Sequence, residues 1–203
     1  MGAQSSSDKY VGLVEVEFWH TPPQTALIER TSITATASTE YDGDRTAAKL
    51  LDGYKDTDAH HEWLSAQQSG PQTPYVSNQW VRFDLGKVYT LNQMKIWNCN
   101  DWIVRGVKSA VIQTAGALEG PYTTVSGITG WDVNGNLART PVENDPDIDN
   151  HANILYFPEG IRARYVRILI NSNWESDTGG FVGLVEVAFW QGLPQHGTLF
   201  YIQ

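Results

Sequence analysis

Short segments in which apolar and polar residues alternate dominate this chain from Thr31 onward. In Val81–Leu85, apolar and charged residues alternate, and this period of two is typical of a half-buried β-strand. The longest helical candidate is Arg45–Leu51, which is only a short stretch. Many short strands without long helices predict an antiparallel β-sandwich or barrel. The clearest strand candidates are Ile33–Ala37, Gln79–Leu85, Gln93–Trp97, Val107–Gln113 and Arg164–Ile170.

A ten-residue segment occurs twice. Tyr10–Trp19 and Phe181–Trp190 are identical at eight of ten positions, at an offset of 171 (181 − 10). We interpret the first copy as the last strand of an upstream sister domain, and the chain as part of a tandem array. Such an unpaired apolar strand is a candidate for self-association by strand addition. The predicted organisation is an orphan strand at 1–20, a linker at 21–30, a β-sandwich domain at 31–192 and a C-terminal extension at 193–203.

Charge and composition restrict the possible partners. The chain has a net charge of −9 and a pI near 4.9, which opposes binding to nucleic acid or anionic membranes and suits uncharged ligands and calcium. No apolar stretch is long enough for a transmembrane helix, and the N-terminus does not resemble a signal peptide. We expect an extracellular or cell-surface protein whose signal lies outside this fragment.

The single Cys99 excludes an internal disulfide, and we expect it to be a small buried side chain.

Six short motifs follow one another along residues 31–190: Thr34–Ser38, Lys49–Gly53, Trp80–Gly86, Arg105–Gly106, Tyr165–Ile168 and Val182–Val187. Their order and spacing resemble those of the discoidin domain, also called the coagulation factor V/VIII type C domain. The chain is most similar to its bacterial branch, the family 32 carbohydrate-binding modules. The resemblance implies an all-β, antiparallel jelly-roll sandwich of about eight strands, with a ligand site in the loops at one end.

The segment Lys49–Thr57 is a candidate calcium loop. Calcium prefers carboxylate and carbonyl oxygens, which a tight Asp-Gly turn can direct inward, although the same residues also fit an ordinary turn. Glu186 interrupts an apolar strand, where a buried carboxylate needs a partner. The resemblance implies a structural Ca2+ bound by Lys49, Asp52, Tyr54, Thr57, Val185 and Glu186.

Histidine, aromatic, amide and arginine side chains near the calcium loop form a candidate sugar site. An aromatic ring covers the apolar face of a pyranose, and polar side chains bind its hydroxyl groups. The resemblance implies sugar contacts from His60, Trp63, Asn100, Trp102, Arg105 and Trp174. Alternatively, Trp63 belongs to the core, Arg105 has a structural role and Trp174 packs on the rim.

The chain contains none of the familiar catalytic motifs for hydrolases, zinc proteases or phosphate-binding enzymes. The sequence therefore predicts a non-catalytic, calcium-stabilised module that binds a glycan, with a galactose-type terminal sugar as the candidate. Two alternatives remain open: a protein-adhesion module that uses the same loops, and an assembly unit that uses Tyr10–Trp19.

Overall fold

Two long strands run through the whole fold. The computed structural model describes residues 25–56, 58–67, 76–175 and 180–192. The strands are β1 (Thr25–Leu27), β2 (Thr34–Ala37), β3 (Trp63–Leu64), β4 (Trp80–Asn98), β5 (Val107–Ala115), β6 (Thr123–Thr124), β7 (Asn153–Asn173) and β8 (Gly183–Gly192). Short 3-10 helices span Arg30–Ser32, Ala47–Leu51, Ala59–His61, Ile103–Arg105 and Ile148–His151. No helix among the described residues has the length and apolar character needed to cross a membrane.

Strand β4 belongs to both layers of the fold. Its first half pairs with β2 and β7, and its second half pairs with β7 and β8, always antiparallel. The pairing register shifts between Asp84 and Tyr89, next to Gly86, whose φ is +83°. A Cβ at Gly86 would lie 2.9 Å from the Ser32 carbonyl oxygen, so glycine is needed there. The bend places the two halves of β4 in opposite layers, and the fold is the expected jelly-roll β-sandwich.

The core fills the space between the two layers. Val81, Phe83 and Leu85 are fully buried, which confirms the alternation predicted for this strand. The rings of Phe83 and Phe189 meet edge to face with their centroids 5.1 Å apart, and this contact joins β4 to β8. Burial of these apolar side chains is the main stabilising contribution to such a fold.

The predicted domain start and strand division need correction. Thr25–Leu27 pairs with β8, and Ile28 is 2% exposed, so the described part of the proposed linker already belongs to the sandwich. The predicted strands Gln79–Leu85 and Gln93–Trp97 are parts of the single strand β4, because the bend redirects the chain without ending its pairing. The predicted orphan strand at 1–20 and extension at 193–203 lie outside the described residues.

Candidate functional site

Three loops meet at one end of the sandwich. The β4–β5 loop lies against the start of β8, since Gly106 and Gly183 form an isolated β-bridge. The β2–β3 loop reaches the segment just before β8, because the ring of Tyr41 contacts Phe181 edge to face at 5.6 Å. Side chains from residues far apart in the sequence are thereby brought together.

Arg105 is held between two aromatic rings. Trp102 precedes the 3-10 helix Ile103–Arg105, and the amide of Arg105 donates to the Trp102 carbonyl at 2.9 Å. This turn places residues three positions apart on one face. The Arg105 guanidinium carbon lies 4.3 Å from the Trp102 ring centroid and 4.8 Å from that of Phe181. Among the described residues, the guanidinium has no hydrogen bond or ion pair, so its donors are free.

Tyr41 and Arg45 extend this group along the surface. The guanidinium carbon of Arg45 lies 5.2 Å from the Tyr41 ring centroid. Trp102 and Tyr41 are both about half exposed, at 49% and 48%. The result is a continuous strip of Arg45, Tyr41, Phe181, Arg105 and Trp102, which we call the aromatic–arginine strip.

His60 is oriented by Asp58. The backbone amide of His60 donates to Asp58 Oδ1 at 2.9 Å, and its Nδ1 lies 2.7 Å from the same oxygen. The amide bond and the ring contact lower the pKa of Asp58. The backbone amide of Arg45 lowers the pKa of Asp42, and the charges of Arg45 and His60 act in the same direction. His60 and Arg45 thus both act on Asp42, and among the described residues no hydrogen bond reaches His60 Nε2.

The loop that follows the 3-10 helix Ala47–Leu51 packs on a buried carboxylate. Glu186 is fully buried, and its Oε2 accepts a hydrogen bond from the Gly53 amide at 3.2 Å. Its Oε1 lies 2.8 Å from Arg30 Nε in an ion pair, but neither atom has a hydrogen bond of good geometry to any described residue. Burial raises the pKa of Glu186 to about 7 although the charge of Arg30 opposes the shift.

A sequence model of the F5/8 type C domain matches residues 34–187, which is most of the 203-residue chain. The chain belongs to the F5/8 type C domain family. This confirms the resemblance seen in the motifs. A comparison with curated proteins finds no match.

Solved structures of similar fold include carbohydrate-binding domains. The family 32 module of Clostridium perfringens NanJ, solved in complex with galactose, has a TM-score of 0.55 at 20% identity, over 83% of this chain and all of that one. A family 32 module from a C. perfringens family 31 glycoside hydrolase has a TM-score of 0.60 at 22% identity, over 81% of this chain and 94% of that one. A fucolectin from striped bass (Morone saxatilis) serum has a TM-score of 0.59 at 20% identity, over 84% of this chain and 51% of that one. At these identities the likeness establishes the fold.

Two predicted sugar contacts of this F5/8 type C domain are wrong. Trp63 is fully buried in the core, and its indole nitrogen donates to the Thr39 carbonyl at 3.0 Å, so its ring offers no face to a ligand. Asn100 is 1% exposed, and its amide bonds the backbone of Asp56 and Asp145. Asn100 therefore connects two loops and does not reach a sugar.

Trp174 lies at the end of β7, where its amide donates to the Gly106 carbonyl at 3.1 Å. Its ring is partly buried, and the Lys108 ammonium lies 5.1 Å from the ring centroid. Its indole nitrogen is buried without a hydrogen bond among the described residues. Trp174 is thus joined by a hydrogen bond to the loop that carries Arg105. Its contact with a sugar stays a prediction.

The proposed calcium ligands are partly brought together. Gly53 of the loop contacts Glu186, and the neighbouring Val185 is buried in β8. Asp52 is exposed and accepts a hydrogen bond from the Tyr54 amide at 2.9 Å. The carbonyl of Lys49 accepts from the Asp52 amide at 3.4 Å. Thr57 lies outside the described residues.

Sequence analysis missed Tyr41, Arg45 and Phe181. One signal was present: Phe181 is the first residue of the repeated segment, and Tyr10 occupies the same place in the other copy. Both copies of the segment therefore begin with an aromatic residue, and this likeness was the available signal for Phe181. Nothing local marked Tyr41 or Arg45, because their partners come from distant parts of the chain.

Proposed function

We propose that this F5/8 type C domain is a non-catalytic carbohydrate-binding module that binds a terminal sugar on the aromatic–arginine strip. The free guanidinium of Arg105 is the observation that carries this proposal. Two rings hold it in place, so its fork of donors is oriented before a ligand arrives.

The strip has the two surfaces that a sugar requires. The exposed ring of Trp102 can cover the apolar face of a pyranose, while Arg105 and His60 supply polar groups for its hydroxyls. The net charge of −9 suits an uncharged ligand. Galactose is the first candidate because the similar NanJ module was solved with it. We further propose, as in the sequence analysis, that the domain acts outside the cell or at its surface.

A glycan array in the presence of calcium tests the proposal. We expect selective binding of wild-type protein to a set of glycans that share a terminal sugar, and loss of that signal in Trp102→Ala, Arg105→Ala and His60→Ala. A single shallow site binds weakly, so multivalent display of the domain strengthens the signal.

Arg82→Ala is the matched control for Arg105→Ala. Arg82 also lies over an aromatic ring, 5.3 Å from the centroid of Trp80, but it belongs to strand β4 and is not part of the strip. Loss of binding in the Arg82 variant would show a general stability effect. A blank array from folded wild-type protein would contradict sugar binding and favour the alternative function of protein adhesion or assembly.

We also propose that calcium stabilises the loop Lys49–Thr57. Glu186 fits a cation because its carboxylate is buried and its Oε1 lacks a hydrogen bond among the described residues. Carboxylate and carbonyl oxygens of the loop are the donors that calcium prefers. The ion would supply positive charge beside Glu186 in addition to that of Arg30.

Thermal unfolding with calcium and with a chelator tests this proposal. Calcium at about 100-fold above its Kd should add about 2.7 kcal/mol to the free energy of unfolding. Glu186→Gln should abolish this increment, whereas Glu143→Gln, at an exposed position, should retain it. A melting temperature that the chelator does not change would contradict the proposed calcium site. In that case Arg30 would supply the positive charge beside Glu186.

A further inference from the structure

Two carboxylates and a thiol converge where the loop carrying Trp102 begins. The Cys99 sulfur lies 3.2 Å from Glu62 Oε2 and 3.1 Å from Asp101 Oδ1. A thiol has one hydrogen and donates to one acceptor at a time. When both carboxylates are ionised, the one that does not receive it faces the sulfur without a donor between them.

The carboxylate of Glu62 lacks compensation on its other side as well. Glu62 is 2% exposed, and its Oε1 is buried without a hydrogen bond among the described residues. Arg45 is close enough for its charge to act on Glu62, yet the two form no ion pair, and Arg45 Nε has no hydrogen-bond partner within the described part of the chain. A buried carboxylate in this position is costly unless a proton or a cation joins it.

Burial and neighbouring negative charge favour the protonated forms of Glu62 and Cys99. Burial, and then the nearby charge of Asp101, raise the pKa of Glu62 to about 8. Burial and both carboxylates raise the pKa of the Cys99 thiol well above its ordinary value. Without another cation, the cluster therefore holds protons at neutral pH.

We propose that Glu62, Cys99 and Asp101 bind a transition-metal ion of the zinc type. One donor atom from each residue lies within 4.8 Å of the other two, which is close enough for all three to surround one ion. Zinc accepts thiolate and carboxylate ligands, whereas calcium and magnesium prefer oxygen alone. On binding, the protons of the thiol and of Glu62 pass to solvent. Asp101 is partly exposed, which gives the ion a path and leaves room for a water as fourth ligand.

The metal would hold the start of the sugar-binding loop. The Trp102 amide donates to Asp101 Oδ1 at 2.5 Å, so an ion on Asp101 restrains the residue next to Trp102. The metal site does not depend on the proposed sugar binding, because Cys99 and Glu62 are buried and are not among the residues proposed to contact the sugar.

Cobalt titration of the full chain, saturated with calcium, tests the site. Cys99 is the only cysteine, so a sulfur-to-cobalt charge-transfer band in the near ultraviolet reports on this residue alone. We expect a saturable band that one equivalent of zinc removes. Cys99→Ser should abolish the band, and Glu62→Gln and Asp101→Asn should each weaken cobalt binding by at least about tenfold.

The matched controls are Asp132→Asn and Glu143→Gln, at carboxylates outside the cluster. Both should retain the band at unchanged affinity. Absence of the band in folded wild-type protein would overturn the proposal. So would unchanged affinity in both carboxylate variants, and this comparison decides the question even if Cys99→Ser fails to fold.

Discussion

Trp63 and Trp102 were both predicted to contact a sugar, but one is buried and the other is exposed. Trp63 enters strand β3, is fully buried and donates its indole hydrogen to a carbonyl. Trp102 begins a 3-10 turn and is 49% exposed. The difference arises because Trp63 belongs to a strand that packs in the core, whereas Trp102 lies exposed at the start of a turn.

This contrast predicts that substitution by alanine lowers stability at Trp63 and sugar binding at Trp102. Trp63→Ala removes a buried ring and leaves the Thr39 carbonyl without its donor, so we expect a loss of about 3–5 kcal/mol in the free energy of unfolding. Trp102→Ala should change stability by no more than about 0.5 kcal/mol while it removes sugar binding. Denaturant unfolding of both variants measures this, and equal destabilisation would contradict the assigned roles.

At the scale of elements, β4 and β7 form the central pair of the sandwich. Arg164 of β7 binds both oxygens of Asp84 in β4, at 2.8 and 2.9 Å. This bidentate contact lies just before the bend at Gly86. It joins the strands where their pairing register shifts.

The Asp84–Arg164 pair predicts a pH dependence. Hydrogen bonding to Arg164 lowers the pKa of Asp84 below 3.8, so the stabilisation is present above pH 3.8 and is lost as the pH falls through the lower folded-state pKa. Since both side chains are partly exposed, Asp84→Asn should lose only about 0.5–1 kcal/mol at neutral pH. Unfolding measured against pH should show this difference disappear in acid. The exposed Asp44→Asn serves as the control, and a difference that persists in acid would contradict the assignment.

Local patterns in the sequence predicted where strands occur better than where each strand begins and ends. The alternation in Val81–Leu85 correctly indicated one buried face. It could not show that the chain continues through Gly86 into the other layer, because that depends on pairing with β7 and β8. Likewise, the exposure of Trp102 and the burial of Asn100 depend on contacts with loops distant in sequence.

For the whole molecule, the proposed sugar contacts are concentrated at one end of the sandwich. The motifs predicted the family, and they named His60, Trp102 and Arg105 as candidate contacts. They did not predict the strip, because Tyr41 and Phe181 are separated by most of the chain and meet only when the sandwich closes. Glu186 and Cys99, the centres of the two proposed metal sites, are both buried.

The measurement that tests the central claim most directly is the tryptophan indole N–H region of the protein NMR spectrum during titration with galactose and with the sugars selected by the array. The chain has eight tryptophans, and Trp102→Phe assigns the critical signal. We predict that the Trp102 signal moves in a saturable manner while those of the buried Trp63 and Trp97 stay fixed. A spectrum in which Trp102 does not respond to a sugar that binds would place the site elsewhere and contradict the account.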